Sequence, residues 1–311
     1  MPRYDAPLRD MKFVLHDLLE LQNYSNLNGF EDATPDVVDA ILDEGGKFAK
    51  EVLFPLNHVG DVQGCVRNSD ASVKTPDGFP AAYKKLVENG WPLLSADPAM
   101  GGQGLPHVVN IAWTEMVQSS NMAFGMYPGL THGAYHALME GGSDELKAIY
   151  GPKMASAEWS GTMNLTEPHC GTDLGLMRTK AAPQDDGTYK VTGQKIWISG
   201  GEHDLTENIV HLVLARIEGA PEGIKGVSLF VVPKFIPDAD GNPGERNDCS
   251  CGGLEEKMGI HGNSTCVMNY DGATGWLVGE MHKGMRTMFV MMNQGGLGVG
   301  QIGRAAGRER G

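Results

Sequence analysis

The hydrophobic period of this chain changes near Gly161, and that change constrains the fold more than any other feature. Before it, apolar residues recur at helical spacing. Thr34-Pro35 opens a helix, with Thr as N-cap and Pro at the first position, and Val37, Val38, Ile41, Leu42, Phe48, Val52 and Leu53 form its apolar stripe until Pro55, where it is expected to stop. Phe79 to Asn89, Val108 to Ser119, Gly129 to Gly141 and Asp144 to Ala157 read as further helices, the last capped by Ser143. After the change, short runs suited to strands alternate with turns. Gly161 to Leu165 is the first. Arg178 to Pro183 and Tyr189 to Ser199 form a predicted hairpin about Asp185-Asp186-Gly187. Ile209 to Ile217 and Gly226 to Pro233 are apolar strands, Phe235 to Gly253 reads as a long polar surface loop, and Leu254 to Met258, Ser264 to Tyr270 and Trp276-Leu277 complete an antiparallel set. From Gly284 helical spacing returns through Met285, Met288, Phe289, Met291 and Met292, whereas Gln294 to Gly303 is too rich in glycine for a stable helix.

These readings give a multi-domain α+β chain. An N-terminal arm (1–33), with a short amphipathic helix over Met11 to Leu21, precedes a helical bundle (34–160). An antiparallel β domain (161–280) follows, and then the start of a C-terminal helical domain (281–311). The charged stretch Arg304 to Gly311 suggests a truncated chain, with the possibility that its last segment is not native.

Composition narrows the function. A net charge of −14 and a pI near 5.1 disfavour nucleic acid as the main partner. No run has the apolar length of a membrane span, and the N-terminus lacks a signal-type apolar core, so a cytoplasmic protein is expected. Five cysteines, an odd number, fit reduced thiols.

Two stretches carry the chemistry. In Leu165-Thr166-Glu167-Pro168-His169-Cys170-Gly171-Thr172-Asp173 the Pro and Gly set a path that leaves backbone groups and the Thr166 and Thr172 hydroxyls free for a ligand, while Glu167 and Asp173 can cap neighbouring backbone. In Gly193-Gln194-Lys195-Ile196-Trp197-Ile198-Ser199, strand alternation puts Trp197 and Ser199 on one face, about 7 Å apart. An indole and a hydroxyl so spaced suit a flat heteroaromatic ring. Alone, the pair would more often be a core Trp beside a surface Ser; next to the first stretch the balance reverses.

Other motifs are weaker. The loop Met100 to Pro106 has neither the preceding strand nor the following Lys-Ser/Thr of a phosphate loop. His132 and His136 lie one helical turn apart but are expected to be packing residues, and Cys249 and Cys251 are too close in sequence for a zinc knuckle, so no metal site is predicted. Gly298-x-Gly300-x-x-Gly303 matches the dinucleotide fingerprint by letter but lacks a βαβ frame, so an NAD-binding module is not favoured.

The first stretch resembles the Thr-Glu-Pro-x-x-Gly-Ser-Asp signature of the acyl-CoA dehydrogenases, and the second resembles their Gly-x-Lys-x-Trp-Ile-Thr/Ser strand. With the order helices, β domain, helices, the chain looks most like the longer, N-terminally extended members. The resemblance implies FAD held by Met163, Asn164, Leu165, Thr166, Gly171, Thr172, Trp197, Ile198 and Ser199. Met163 to Thr166 would face the isoalloxazine, Trp197 would pack on it, and Ser199 would bond near N5. Thr172 would touch cofactor or acyl-CoA.

It also implies α,β-dehydrogenation of an acyl-CoA thioester to the 2-enoyl-CoA, with electron-transfer flavoprotein as acceptor and a homo-oligomeric enzyme. An acyl-CoA oxidase, or an inactive fragment without flavin, is the alternative. The chain departs from the family pattern at two places. Gly295 stands where a minority of members carry the catalytic Glu, and Gly296 where many carry an FAD-holding Arg. Glu167 belongs to the turn as a structural residue, so no catalytic residue is assigned.

Overall fold

The computed structural model describes residues 3–300. Eight α-helices are described: α1 (Leu8–Lys12), α2 (Pro35–Phe48), α3 (Phe54–Gln63), α4 (Phe79–Glu88), α5 (His107–Ser120), α6 (Met122–Gly141), α7 (Asp144–Ala155) and α8 (Gly284–Gly300). The strands are β1 (Val66–Arg67), β2 (Val73–Lys74), β3 (Trp159–Asn164), β4 (Lys180–Pro183), β5 (Tyr189–Ser199), β6 (Asn208–Ile217), β7 (Val227–Pro233), β8 (Phe235–Pro237), β9 (Pro243–Arg246), β10 (Cys249–Leu254) and β11 (Thr265–Val278). The change of period falls where helices give way to the sheet, and the α+β class stands. No described helix is long and apolar enough to cross a membrane. The five cysteines are free.

Several expectations are corrected. Pro55 does not end the helical run. A wider turn over Ala49–Leu53 precedes α3, and Pro55 sits in the first turn of α3, where its missing N–H costs nothing. Thr34 has the extended backbone of an N-cap, but its hydroxyl makes no capping bond, whereas Ser143 accepts from the Leu146 N–H at 3.3 Å. Helix α6 begins seven residues before the expected Gly129, at Met122, where the Asn121 side chain caps the Phe124 N–H at 3.0 Å. The stretch 235–253 is not irregular: it holds the β8–β9 hairpin and most of β10. Glycine did not end α8 before Gly300, because packing overrides propensity: Met288 and Met291 are buried, and Met291 lies against Gly133 of α6. Gly303 and the 301–311 segment lie outside the described residues.

The main sheet has the order β10-β11-β5-β4-β6-β3, with β7 joining β11 and β6. Most pairings are antiparallel, as expected, but β3 and β4 both run parallel to β6. The turn after β3 carries the chain across rather than straight back, so no β3–β4 hairpin forms. This leaves β3 as the last strand of the path, with helix α6 packed closely on it: a Cβ on Gly161 would lie 2.5 Å from that of Ala134. The β3 edge therefore emerges beside the helices, where ligand-facing groups from both layers can meet.

Candidate functional site

The turn after β3 and the end of β5 are joined by one buried ion pair. Lys195, fully buried, donates to Glu167 Oε1 at 2.9 Å and to the Leu165 carbonyl at 3.0 Å. Glu167 also accepts from the Arg178 N–H (2.8 Å), the Thr179 N–H (3.0 Å) and the Thr179 hydroxyl (2.6 Å). Burial alone would push the Glu167 carboxyl up, but the Lys195 charge and these bonds hold it below its ordinary value. Burial lowers Lys195 to about 8, with the Glu167 carboxylate opposing the shift. The sequence reading of Glu167 and Asp173 as caps is met: Asp173 Oδ1 accepts from the Gly175 N–H at 2.9 Å. A further backbone bond, Ile196 N–H to the Thr166 carbonyl at 2.9 Å, ties the turn to β5.

Strand β5 is not regular where it meets the turn. Lys195 pairs with Met268 and Ile198 with Cys266, so the register shifts between them. Trp197 takes φ of +62°, a left-handed conformation unfavourable for a bulky residue. The bulge lets Lys195 and Ile198 both point inward although two residues separate them. Trp197 and Ser199 thus flank a buried Ile198 on the outer side. Simple alternation predicted the shared face of Trp197 and Ser199 but missed the bulge that re-aims it.

The predicted ligand-facing residues divide by what each can offer. The Trp197 indole is 46% exposed, with the Lys257 ammonium 5.2 Å from its ring centre. The hydroxyls of Thr166, Thr172 and Ser199 make no hydrogen bond among the described residues. Gly171 lies flush against Thr166, since a Cβ there would come within 3.0 Å of its methyl. Met163 is half-buried. Leu165 and Ile198 turn their side chains into the core, and the Asn164 side chain is committed to Thr162 (2.8 Å) and Tyr270 (2.8 Å), so these three could serve a ligand only through their backbone. An edge strand, three free hydroxyls, an exposed indole and a glycine that keeps the turn close-packed fit a flat, hydrogen-bonding ring such as a flavin.

Other motifs also find their places. His132 and His136 are joined through their Nε2 atoms at 3.1 Å, and His107 of α5 stacks on His132 with ring centres 5.6 Å apart. Burial pushes His132 down to about 3. Glu167, His169 and Cys170 bring three ligand-type atoms together, but the Glu167 oxygens are already engaged with Lys195, Arg178 and Thr179. Cys249 and Cys251 face inward from β10. Gly298 and Gly300 lie on α8.

Sequence reasoning did not find the cavity between α4, α5, α6 and α8. It encloses about 130 Å³ and is lined by Trp91, Asn110, Gln118, Met126, Leu130 and Gly295, among others. Trp91 stacks on Trp113 in its wall at 4.1 Å. The cavity's one trace in the sequence is the row His107, Asn110, Thr114 and Gln118 at helical spacing.

Known proteins match both the helical and the sheet section of this chain. The N-terminal domain of the acyl-CoA dehydrogenases matches residues 40–158, and their middle domain matches residues 162–273. A 3-methylmercaptopropionyl-CoA dehydrogenase of Ruegeria pomeroyi is 47% identical over 97% of this chain and 51% of its own length. A butyryl-CoA dehydrogenase of Syntrophomonas wolfei is 38% identical over 96% of this chain and 50% of its own. An acyl-CoA dehydrogenase of Bacillus anthracis, solved in complex with FAD, superposes with a TM-score of 0.67 at 25% identity, covering 86% of this chain and 42% of that one. The chain spans about half the length of the curated relatives it matches. On its helical section, its sheet and the two stretches that meet at Lys195, it belongs to the acyl-CoA dehydrogenase family.

Proposed function

We propose that this chain supplies the flavin-facing and acyl-facing walls for FAD-dependent α,β-dehydrogenation of an acyl-CoA thioester to the 2-enoyl-CoA. The observation that carries this is the set of free groups at the turn–β5 junction: the Trp197 indole and the Thr166, Thr172 and Ser199 hydroxyls, held by the Glu167–Lys195 pair. When bound there, FAD supplies the hydride acceptor. Met163, Asn164, Leu165, Gly171 and Ile198 offer backbone at the same junction. Trp197 would cover the ring, Ser199 and Thr166 would fix its edge, and Thr172 would reach cofactor or thioester. The fixed turn would hold these donors in place without reorganisation.

The cavity beside α5 and α8 is read as the acyl site, because it reaches Gly295, where some family members carry the base. Its apolar walls would exclude water from the reacting carbons. Residues 284–300 hold no carboxylate, so proton removal is assigned to no residue here. Electron-transfer flavoprotein would take the electrons onward, and a homo-oligomer is proposed on the family pattern. The helical section is taken as 34–160 and the β section as 161–280, with an arm at 1–33 and a helical segment from 281; matches at 40–158 and 162–273 support the boundary between the first two.

The test is FAD titration of the purified chain, followed by its visible spectrum and by indole fluorescence. Binding, weakened about tenfold in Trp197→Ala by the lost stacking, is expected. A chain that stays colourless and unquenched at high FAD overturns the reading. Bleaching of the bound flavin by an acyl-CoA would show that a proton acceptor lies within this chain.

A further inference from the structure

The acyl-site cavity is not uniformly apolar. His107, Asn110, Thr114 and Gln118 of α5 all line it. Their spacings of three, four and four residues place them in one stripe along the helix. That stripe faces inward, where an amphipathic helix ordinarily puts apolar residues. Asn110 is 8% exposed and Gln118 7%. The Gln118 side-chain oxygen has no hydrogen-bond partner among the described residues, and neither has the buried Trp91 indole N–H. Helix α6 makes room for the amide: a Cβ on Gly125 would come within 3.0 Å of Gln118 Oε1, and Gly129 lies next to its nitrogen.

A buried amide without a partner is destabilising, and substitution by an apolar residue would remove the penalty. An unpaired polar group beside a ready cavity is the mark of a site for a polar ligand. The two ends of the stripe differ. At one end His107 lines the cavity together with Gln294 and Gly295 of α8, and its Nε2 has no hydrogen-bond partner among the described residues. Gln118 lies eleven residues further along α5, about 16 Å from that end. A group recognised by Gln118 therefore belongs to the far end of the ligand, away from the reacting carbons.

We propose that the cavity takes an acyl group bearing a hydroxyl at its distal end, and that Gln118 is a specificity-determining residue for it. This rests on reading the cavity as the acyl site. A hydroxyl both donates and accepts, so it satisfies the amide in either orientation, and it can also accept from an indole N–H such as that of Trp91. A plain alkyl tail of the same length leaves the amide unpaired.

The experiment measures dissociation constants of ω-hydroxyacyl-CoAs of about eight to twelve carbons, lengths matched to the stripe, against their alkyl counterparts. It uses the FAD-loaded chain, with Trp91–Trp113 fluorescence as the readout. A preference for the hydroxy ester of about tenfold or more is expected, and it disappears in Gln118→Leu while the alkyl ester binds as well or better. Gln118→Met, closer in shape, is the second variant should Gln118→Leu fail to fold, as judged by thermal melting. Equal affinity for the two esters, or a preference untouched by either variant, overturns the proposal. If neither ester binds although FAD does, the acyl-site reading itself fails and this inference falls with it.

Discussion

Two regions of this molecule bury polar side chains, and they treat them in opposite ways. At the junction of the turn and β5, the buried charges and the amide are paired: Lys195 with Glu167 and Leu165, Glu167 also with Arg178 and Thr179, and Asn164 with Thr162 and Tyr270. Around the cavity beside α5, His107, Gln118 and Trp91 keep unpaired atoms. The first arrangement fixes a surface; its free hydroxyls and indole lie above a rigid base. The second keeps hydrogen-bonding capacity in reserve inside the protein. Substitutions that remove polarity should therefore have opposite signs in the two regions.

The largest effect is expected at the ion pair. Lys195→Met leaves the Glu167 carboxylate buried without its cation and should lower unfolding free energy by about 3–5 kcal/mol. The double variant Glu167→Gln/Lys195→Met should recover much of that loss, because no charge is then stranded. Denaturant titration of the single and double variants checks both. A single variant as stable as the parent would remove the basis for calling the turn fixed.

Acid comes next. Burial holds His132, His203 and His211 down to about 3 each, from an ordinary 6.5. The unfolded chain takes up these protons first as pH falls. The contribution of these groups to stability is therefore full above about pH 6.5 and is lost progressively between pH 6.5 and 3. Glu167, held below its ordinary value, adds to the loss only at lower pH, as its carboxylate is protonated in the folded state. Thermal melts from pH 8 to 4 should show stability falling before Glu167 titrates, and His211→Asn should flatten the decline.

The smallest effect sharpens the contrast. Gln118→Leu removes an unpaired buried amide and should raise stability by about 1 kcal/mol, opposite in sign to any change at Lys195. A fall in melting temperature on this substitution would mean that the amide has a partner after all, and the two regions would then be alike.

How much of this was legible differs by kind of information. Helical spacing and strand runs showed the elements, since burying one face imposes a period that single residues reveal. The misplaced ends, at Pro55, before Gly129 and past Gln294, were those where a wider turn, a cap or packing outweighs local preference. The turn was legible because Pro, Gly and short polar residues restrict the backbone locally. The bulge at Trp197 was not, because it arises from register with β11, a strand more than sixty residues away in the sequence.

The sequence by itself determined the order of helical and strand sections and singled out Thr166, Thr172, Trp197 and Ser199 as candidates to face a ligand, because these depend on side-chain chemistry over a few neighbouring positions. Only the tertiary structure decided that Lys195 reaches Glu167, that Trp197 is turned outward by a left-handed backbone, and that the polar stripe of α5 faces an internal cavity instead of water. A polar residue at helical spacing has the same letter on either face. Which face it occupies depends on what packs against it, and that is settled by contacts between segments far apart in the chain.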